Sequence, residues 1–92
     1  MVAHRRIELA RDLVKRLLRI GATANLLNLL QKQHPADLAT IFSELPEKER
    51  EAAFSLLAEQ NGRLAMEAIS ELSPEVGTLL LSTRTAEEIA RL

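Results

Sequence analysis

Three prolines divide most of this chain into short helical segments. Pro35, Pro46 and Pro74 each have an acidic residue within the next two positions, and apolar residues spaced three and four apart follow. Proline is favoured at the first position of an α-helix, where its missing N–H removes no hydrogen bond, and an early carboxylate complements the helix dipole. We therefore predict that a short helix begins at each proline.

The residues before Pro35 predict two further helices. Apolar residues recur through residues 3–20 with the period of an amphipathic helix, and Gly21 can end that helix because glycine adopts positive φ without strain. Thr23 is the predicted N-cap of a second, leucine-rich helix that ends before Pro35. The chain thus begins with one long helix and one short helix.

Capping residues mark the helices of the C-terminal part. Residues 61–72 predict one helix, and Ser73 can cap the helix that begins at Pro74. Thr85 and Glu88 have the spacing of a capping box, which predicts a last helix that reaches the end of the chain within an apolar pattern. We expect either that this helix packs against a surface outside residues 1–92 or that the chain is part of a longer protein.

A five-residue pattern occurs twice. Residues 41–45, Ile-Phe-Ser-Glu-Leu, align with residues 68–72, Ala-Ile-Ser-Glu-Leu, at a shift of 27 residues, and a proline-led helix follows each copy. Two short helices per repeat are typical of superhelices of stacked helical hairpins, in which each hairpin buries its apolar face against its neighbours. We predict an all-α fold of six or seven short helices, with residues 1–92 forming a single domain.

The composition narrows the classes of function. The chain has no cysteine, which excludes disulfides, thiolate zinc sites and thiol nucleophiles, and its three glycines are isolated, so no phosphate-binding loop is present. We predict that the protein is not an enzyme and has no catalytic, cofactor-binding or metal site of its own. No apolar run approaches the roughly 18 residues of a membrane span, and no signal-peptide core is present, so we expect a soluble chain.

The two parts of the chain carry opposite net charge. Residues 1–34 contain seven Lys and Arg against two Asp and Glu, whereas residues 35–92 contain five against eleven. This asymmetry reflects either ordinary solvated faces or a basic end that meets an acidic partner, a membrane surface or the acidic half of a second copy. Nucleic acid is disfavoured, because the cations spread around the first helix and no Trp or Tyr offers a stacking surface. These cations are Arg5, Arg6, Arg11, Lys15, Arg16 and Arg19.

Three short stretches resemble a known family. They are residues 34–39 (His-Pro-Ala-Asp-Leu-Ala), residues 44–46 (Glu-Leu-Pro) and residues 68–75 (Ala-Ile-Ser-Glu-Leu-Ser-Pro-Glu). Together they resemble the cytosolic N-terminal domain of MgtE-type magnesium transporters over about residues 23–92, with residues 1–22 as a basic helix in front. The resemblance implies a right-handed superhelix and a cytoplasmic, non-enzymatic regulatory lobe. In the full transporters such a lobe precedes a pair of CBS domains and a membrane channel, and it docks or moves away according to cytosolic magnesium.

The resemblance also implies a partner and a weak ion ligand. The partner would be a CBS-type domain or a membrane-transporter domain, and a homo-oligomer is possible. Acidic side chains of the family share Mg²⁺ with the CBS domains, and Glu67 is the one position here that corresponds to them. Mg²⁺ needs several oxygen ligands or retained waters, so we expect Glu67 to bind it only weakly, as a ligand shared with a partner domain. The alternative for Glu67 is an ordinary solvated carboxylate.

A second resemblance remains as an alternative. The middle domain of flagellar motor switch proteins of the FliG type is a related superhelix with a His-Pro element before a helix, which would imply an assembly module. In those proteins Gln typically follows His-Pro, whereas Ala36 and Asp37 follow it here. We expect His34 to be a cap or turn residue and Asp37 to complement the free N–H groups of its helix. His4 is assigned no role.

Overall fold

Six α-helices form in residues 2–82, the part of the chain that the computed structural model describes. The helices are α1 (Val2–Ile20), α2 (Thr23–Gln31), α3 (Pro35–Glu44), α4 (Glu47–Gln60), α5 (Gly62–Ser70) and α6 (Pro74–Ser82). The all-α prediction is confirmed, and the helix predicted from Thr85 lies outside the described residues. The right-handed sense of the superhelix stays an expectation from the resemblance.

Gly21 ends α1 as predicted. Its φ is +74°, its N–H donates to the carbonyl of Leu18 and the N–H of Ala22 donates to that of Leu17, which is the hydrogen-bond pattern of a Schellman motif. The prediction that Thr23 caps α2 is wrong. Ala22 is the N-cap, since its carbonyl accepts the first helical bond from the N–H of Leu26. The Schellman motif ends at Ala22, so α2 begins at the next residue, Thr23.

Two of the three prolines are first helical residues as predicted. Pro35 and Pro74 begin α3 and α6. Pro46 is instead the N-cap of α4, which begins one residue later than predicted, at Glu47. Proline has no N–H, so the return bond that a glutamate at the third helical position makes in a capping box is unavailable to Glu49. The Oε2 atom of Glu49 is shielded from solvent and has no hydrogen-bond partner among the described residues.

Side-chain caps begin the last two helices. The side-chain oxygen of Asn61 accepts a hydrogen bond from the N–H of Leu64 at 3.2 Å, so Asn61 is the N-cap of α5 and the helix begins one residue later than predicted. The N–H of Val76 donates to Ser73 Oγ at 3.4 Å, which confirms the predicted cap of α6. Both caps satisfy N–H groups that have no partner within the helix.

The helices stack in the order that the repeat predicts. Each helix from α1 to α3 packs against the next helix but one, and α1–α2, α3–α4 and α4–α5 are also in contact. The repeated pattern ends α3 and α5, and its two leucines, Leu45 and Leu72, are both buried. The Cγ2 atom of Ile69 lies 3.6 Å from where a Cβ on Gly77 would be, so α6 approaches α5 closely at this point. The stacked-hairpin arrangement is therefore present in the described residues.

One continuous apolar core joins all six helices. Phe42 and Phe54, the two aromatic residues, are completely buried and meet edge to face with ring centroids 5.9 Å apart. Aliphatic side chains fill the space around this pair, because the sequence offers no other large rings. Buried residues of the other helices, one from each, are Val14, Leu26, Ala65 and Leu80.

Candidate interaction surfaces

The His-Pro element forms the start of α3. His34 is the N-cap with extended backbone angles, so the predicted cap position is confirmed, although its side chain makes no capping hydrogen bond. Asp37 lies in the first turn, where its charge complements the helix dipole. Within the described residues its carboxylate faces Arg6 of α1 at 3.9 Å rather than a backbone N–H group. The element thus shapes the turn into α3 and brings it near α1.

A second ion pair joins the far end of α3 to α1. Arg11 Nη1 donates to Glu44 Oε1 at 2.8 Å, and Arg11 Nε donates to Asp12 Oδ1 at 3.2 Å. The hydrogen bond to Asp12, and then the one to Glu44, raise the pKa of Arg11 above its ordinary value. Two cations of the basic helix therefore face carboxylates of α3, and the cations available to a partner are fewer than the sequence indicates.

Arg50 closes the C-terminal end of α3, a role that sequence reasoning missed. Its Nε donates to the carbonyl of Phe42 at 2.8 Å and its Nη2 donates to the carbonyl of Leu45 at 3.0 Å. The last carbonyls of a helix lack helical donors, and α3 ends at Leu45-Pro46 without the glycine that usually allows a backbone closure. That missing glycine was the signal that a side-chain donor had to come from elsewhere.

Glu67 lies on the exposed side of α5. Ala65 and Ala68 are the buried residues of this helix, and Glu67 points away from them into solvent. Among the described residues no group of three His, Asp or Glu side chains is placed to hold a metal ion. A hard cation needs several oxygen ligands, so Glu67 fits Mg²⁺ only as one ligand of a site that other groups complete.

A comparison with known protein families identifies the domain to which these helices belong. The sequence profile described as the MgtE intracellular N domain matches residues 33–92, which is most of the chain. The chain belongs to this family. No curated protein and no solved structure matches it.

The matched region of this MgtE N domain begins at the His-Pro element. It contains α3 to α6, the repeated pattern and Glu67, whereas α1 and α2 precede it. The match favours the transporter-domain interpretation over the motor-switch alternative. The family is a non-catalytic domain associated with transporters, and within residues 2–82 no helix has the length and hydropathy to cross a bilayer.

Proposed function

We propose that this MgtE N domain is a non-enzymatic regulatory lobe that acts by docking on another domain or protein. The family match over residues 33–92 carries the proposal. The lobe would comprise residues 23–92, with residues 1–22 as a basic helix in front of it, in one domain. The description of the family as an intracellular domain supports a cytoplasmic location.

The docking face that we propose is the exposed side of α5. Glu67 and Glu71 are four residues apart and both exposed, so their carboxylates lie on the same side of the chain. These two carboxylates would repel an acidic surface of a partner, unless a cation lies between the two surfaces. Mg²⁺ shared with a CBS-type partner would supply that cation, and docking would then depend on its concentration.

The test is calorimetric titration of the domain with the CBS domain pair of an MgtE-type transporter. We expect binding with millimolar Mg²⁺ and much weaker binding with EDTA. Glu67→Gln should weaken the Mg²⁺-dependent complex by at least about fivefold, the lower end of ordinary coupling between two ligands.

Glu59→Gln is the matched control, because Glu59 is an exposed carboxylate at the end of α4 rather than on α5. Its complex should have the affinity of the unaltered protein. Heat of binding that is absent with Mg²⁺, or equal in Mg²⁺ and EDTA, would contradict the proposal.

A further inference from the structure

Helix α1 has an exposed apolar stripe that borders the face packed on the core. Leu9, Leu13 and Ile20 are 63%, 40% and 66% exposed, whereas Val14 and Leu17 of the same helix are buried in the core. Positions 9, 13 and 20 are four and seven residues apart, which places them on one line about 16 Å long. We call these three residues the outer stripe. The core accounts for one face of α1 and leaves the outer stripe without a function.

Cations border the outer stripe. Arg16 lies on the same line, and it shares an open depression of ≈ 520 Å³ with two leucines of the stripe. The residues lining this depression are Leu9, Asp12, Leu13, Lys15, Arg16 and Arg19. Asp12, the acidic residue among them, is already hydrogen-bonded to Arg11. The surface therefore combines apolar side chains with an excess of positive charge, a chemistry that matches an anionic amphiphile.

We propose that the outer stripe and its cations bind the surface of a bilayer that contains anionic lipids. The leucines would enter the boundary between headgroups and acyl chains, and Lys15, Arg16 and Arg19 would meet lipid phosphates, as in amphipathic helices that lie in the membrane interface. Long Arg and Lys stems can lie along apolar surface while their charged ends reach the headgroups. The acidic part of the chain, residues 35–92, would orient the domain with α1 toward the lipid.

Other occupants of this surface fit less well. A second copy would bring two basic α1 helices face to face, and nucleic acid would supply phosphates without an apolar environment for Leu9 and Leu13. An acidic protein would need a surface shaped to this one helix, whereas a fluid bilayer adapts to it. Since α1 precedes residue 33, where the family match begins, the inference does not rest on the proposed docking of α5.

Vesicle sedimentation tests the proposal directly. The whole chain is mixed with vesicles of phosphatidylcholine alone or of phosphatidylcholine with phosphatidylglycerol, and the fraction bound is measured at low and high salt. We expect binding only to the anionic vesicles, reduced by salt because ions screen the surface potential. The double variant Leu9→Gln with Leu13→Gln should weaken partition at least about tenfold, since two leucines lose their apolar burial.

Matched variants separate the two contributions. Leu79→Gln, at a 51% exposed leucine of α6, should bind as the unaltered protein does, whereas Arg16→Gln with Arg19→Gln should bind more weakly. Circular dichroism checks that each variant is folded, and all altered side chains lie at the surface. Equal binding to both vesicle types, no binding, retained binding by the double leucine variant, or lipid-free dimers that Leu9→Gln with Leu13→Gln abolishes would each overturn the proposal.

Discussion

Arg50→Met removes the side-chain closure of α3 and keeps most of the aliphatic stem. The substitution removes the guanidinium that lies 3.0 Å from the carbonyl of Leu45. Within residues 2–82, the carbonyl of Phe42 keeps the longer backbone bond from Leu45 at 3.3 Å. Hydrogen bonds to a charged group contribute about 1.5–3 kcal/mol each, and Phe42 keeps part of its bonding. We therefore expect the free energy of unfolding to fall by about 2–3 kcal/mol.

Urea denaturation followed by circular dichroism measures this loss, and a thermal scan should show a decrease in Tm of about 10–20 °C for a domain of this size. Lys48→Met is the matched control, because Lys48 is an exposed cation in the same first turn of α4. It should change the stability by less than about 0.5 kcal/mol. A loss for Arg50→Met no larger than that of the control would refute the assignment of Arg50 as the closure of α3.

Three further stability predictions follow from the backbone and the core. Gly21→Ala should lower the free energy of unfolding by about 1 kcal/mol because of the positive φ at residue 21. Gly77→Ala should raise it by up to about 1 kcal/mol, since the added Cβ would make an ordinary contact 3.6 Å from Ile69. Effects of equal sign for the two variants would contradict this. Leucine substitutions in a double-mutant cycle on Phe42 and Phe54 should give a coupling of about 0.5–1.5 kcal/mol, and additive losses would exclude a specific ring interaction. Asp37→Ala should cost about 0.5–1 kcal/mol through the dipole of α3, so an unchanged Tm would count against that role.

The positions of the helices could be predicted from the sequence because their signals are local. Pro35, Pro74 and Gly21 act through their own backbone angles, and Ser73 acts on an N–H three residues away. The errors at Thr23 and Pro46 are shifts of one residue. The position of an N-cap depends on how many residues separate it from the end of the preceding helix, and the sequence does not show this. Such shifts are common at helix ends.

The links between helices could not be predicted, since they depend on contacts distant in sequence. Arg11 meets Glu44 across 33 residues, and nothing local distinguishes Arg11 from the other cations of α1. The sequence shows that α3 lacks a C-terminal glycine and so needs another donor for its last carbonyls. That Arg50 is this donor depends on the packing of α4 on α3, which orients its side chain. The exposure of the outer stripe likewise depends on which face of α1 the core covers.

The most direct test of the docking account is a magnesium titration of this MgtE N domain by two-dimensional NMR, with calcium and ionic-strength controls. The account predicts that the isolated domain shows only shifts that follow ionic strength. Saturable shifts around Glu67 should appear when a CBS-type partner is added, because the partner completes the ligand set. Localised, saturable shifts in the isolated domain would contradict the account and indicate a domain that senses Mg²⁺ alone.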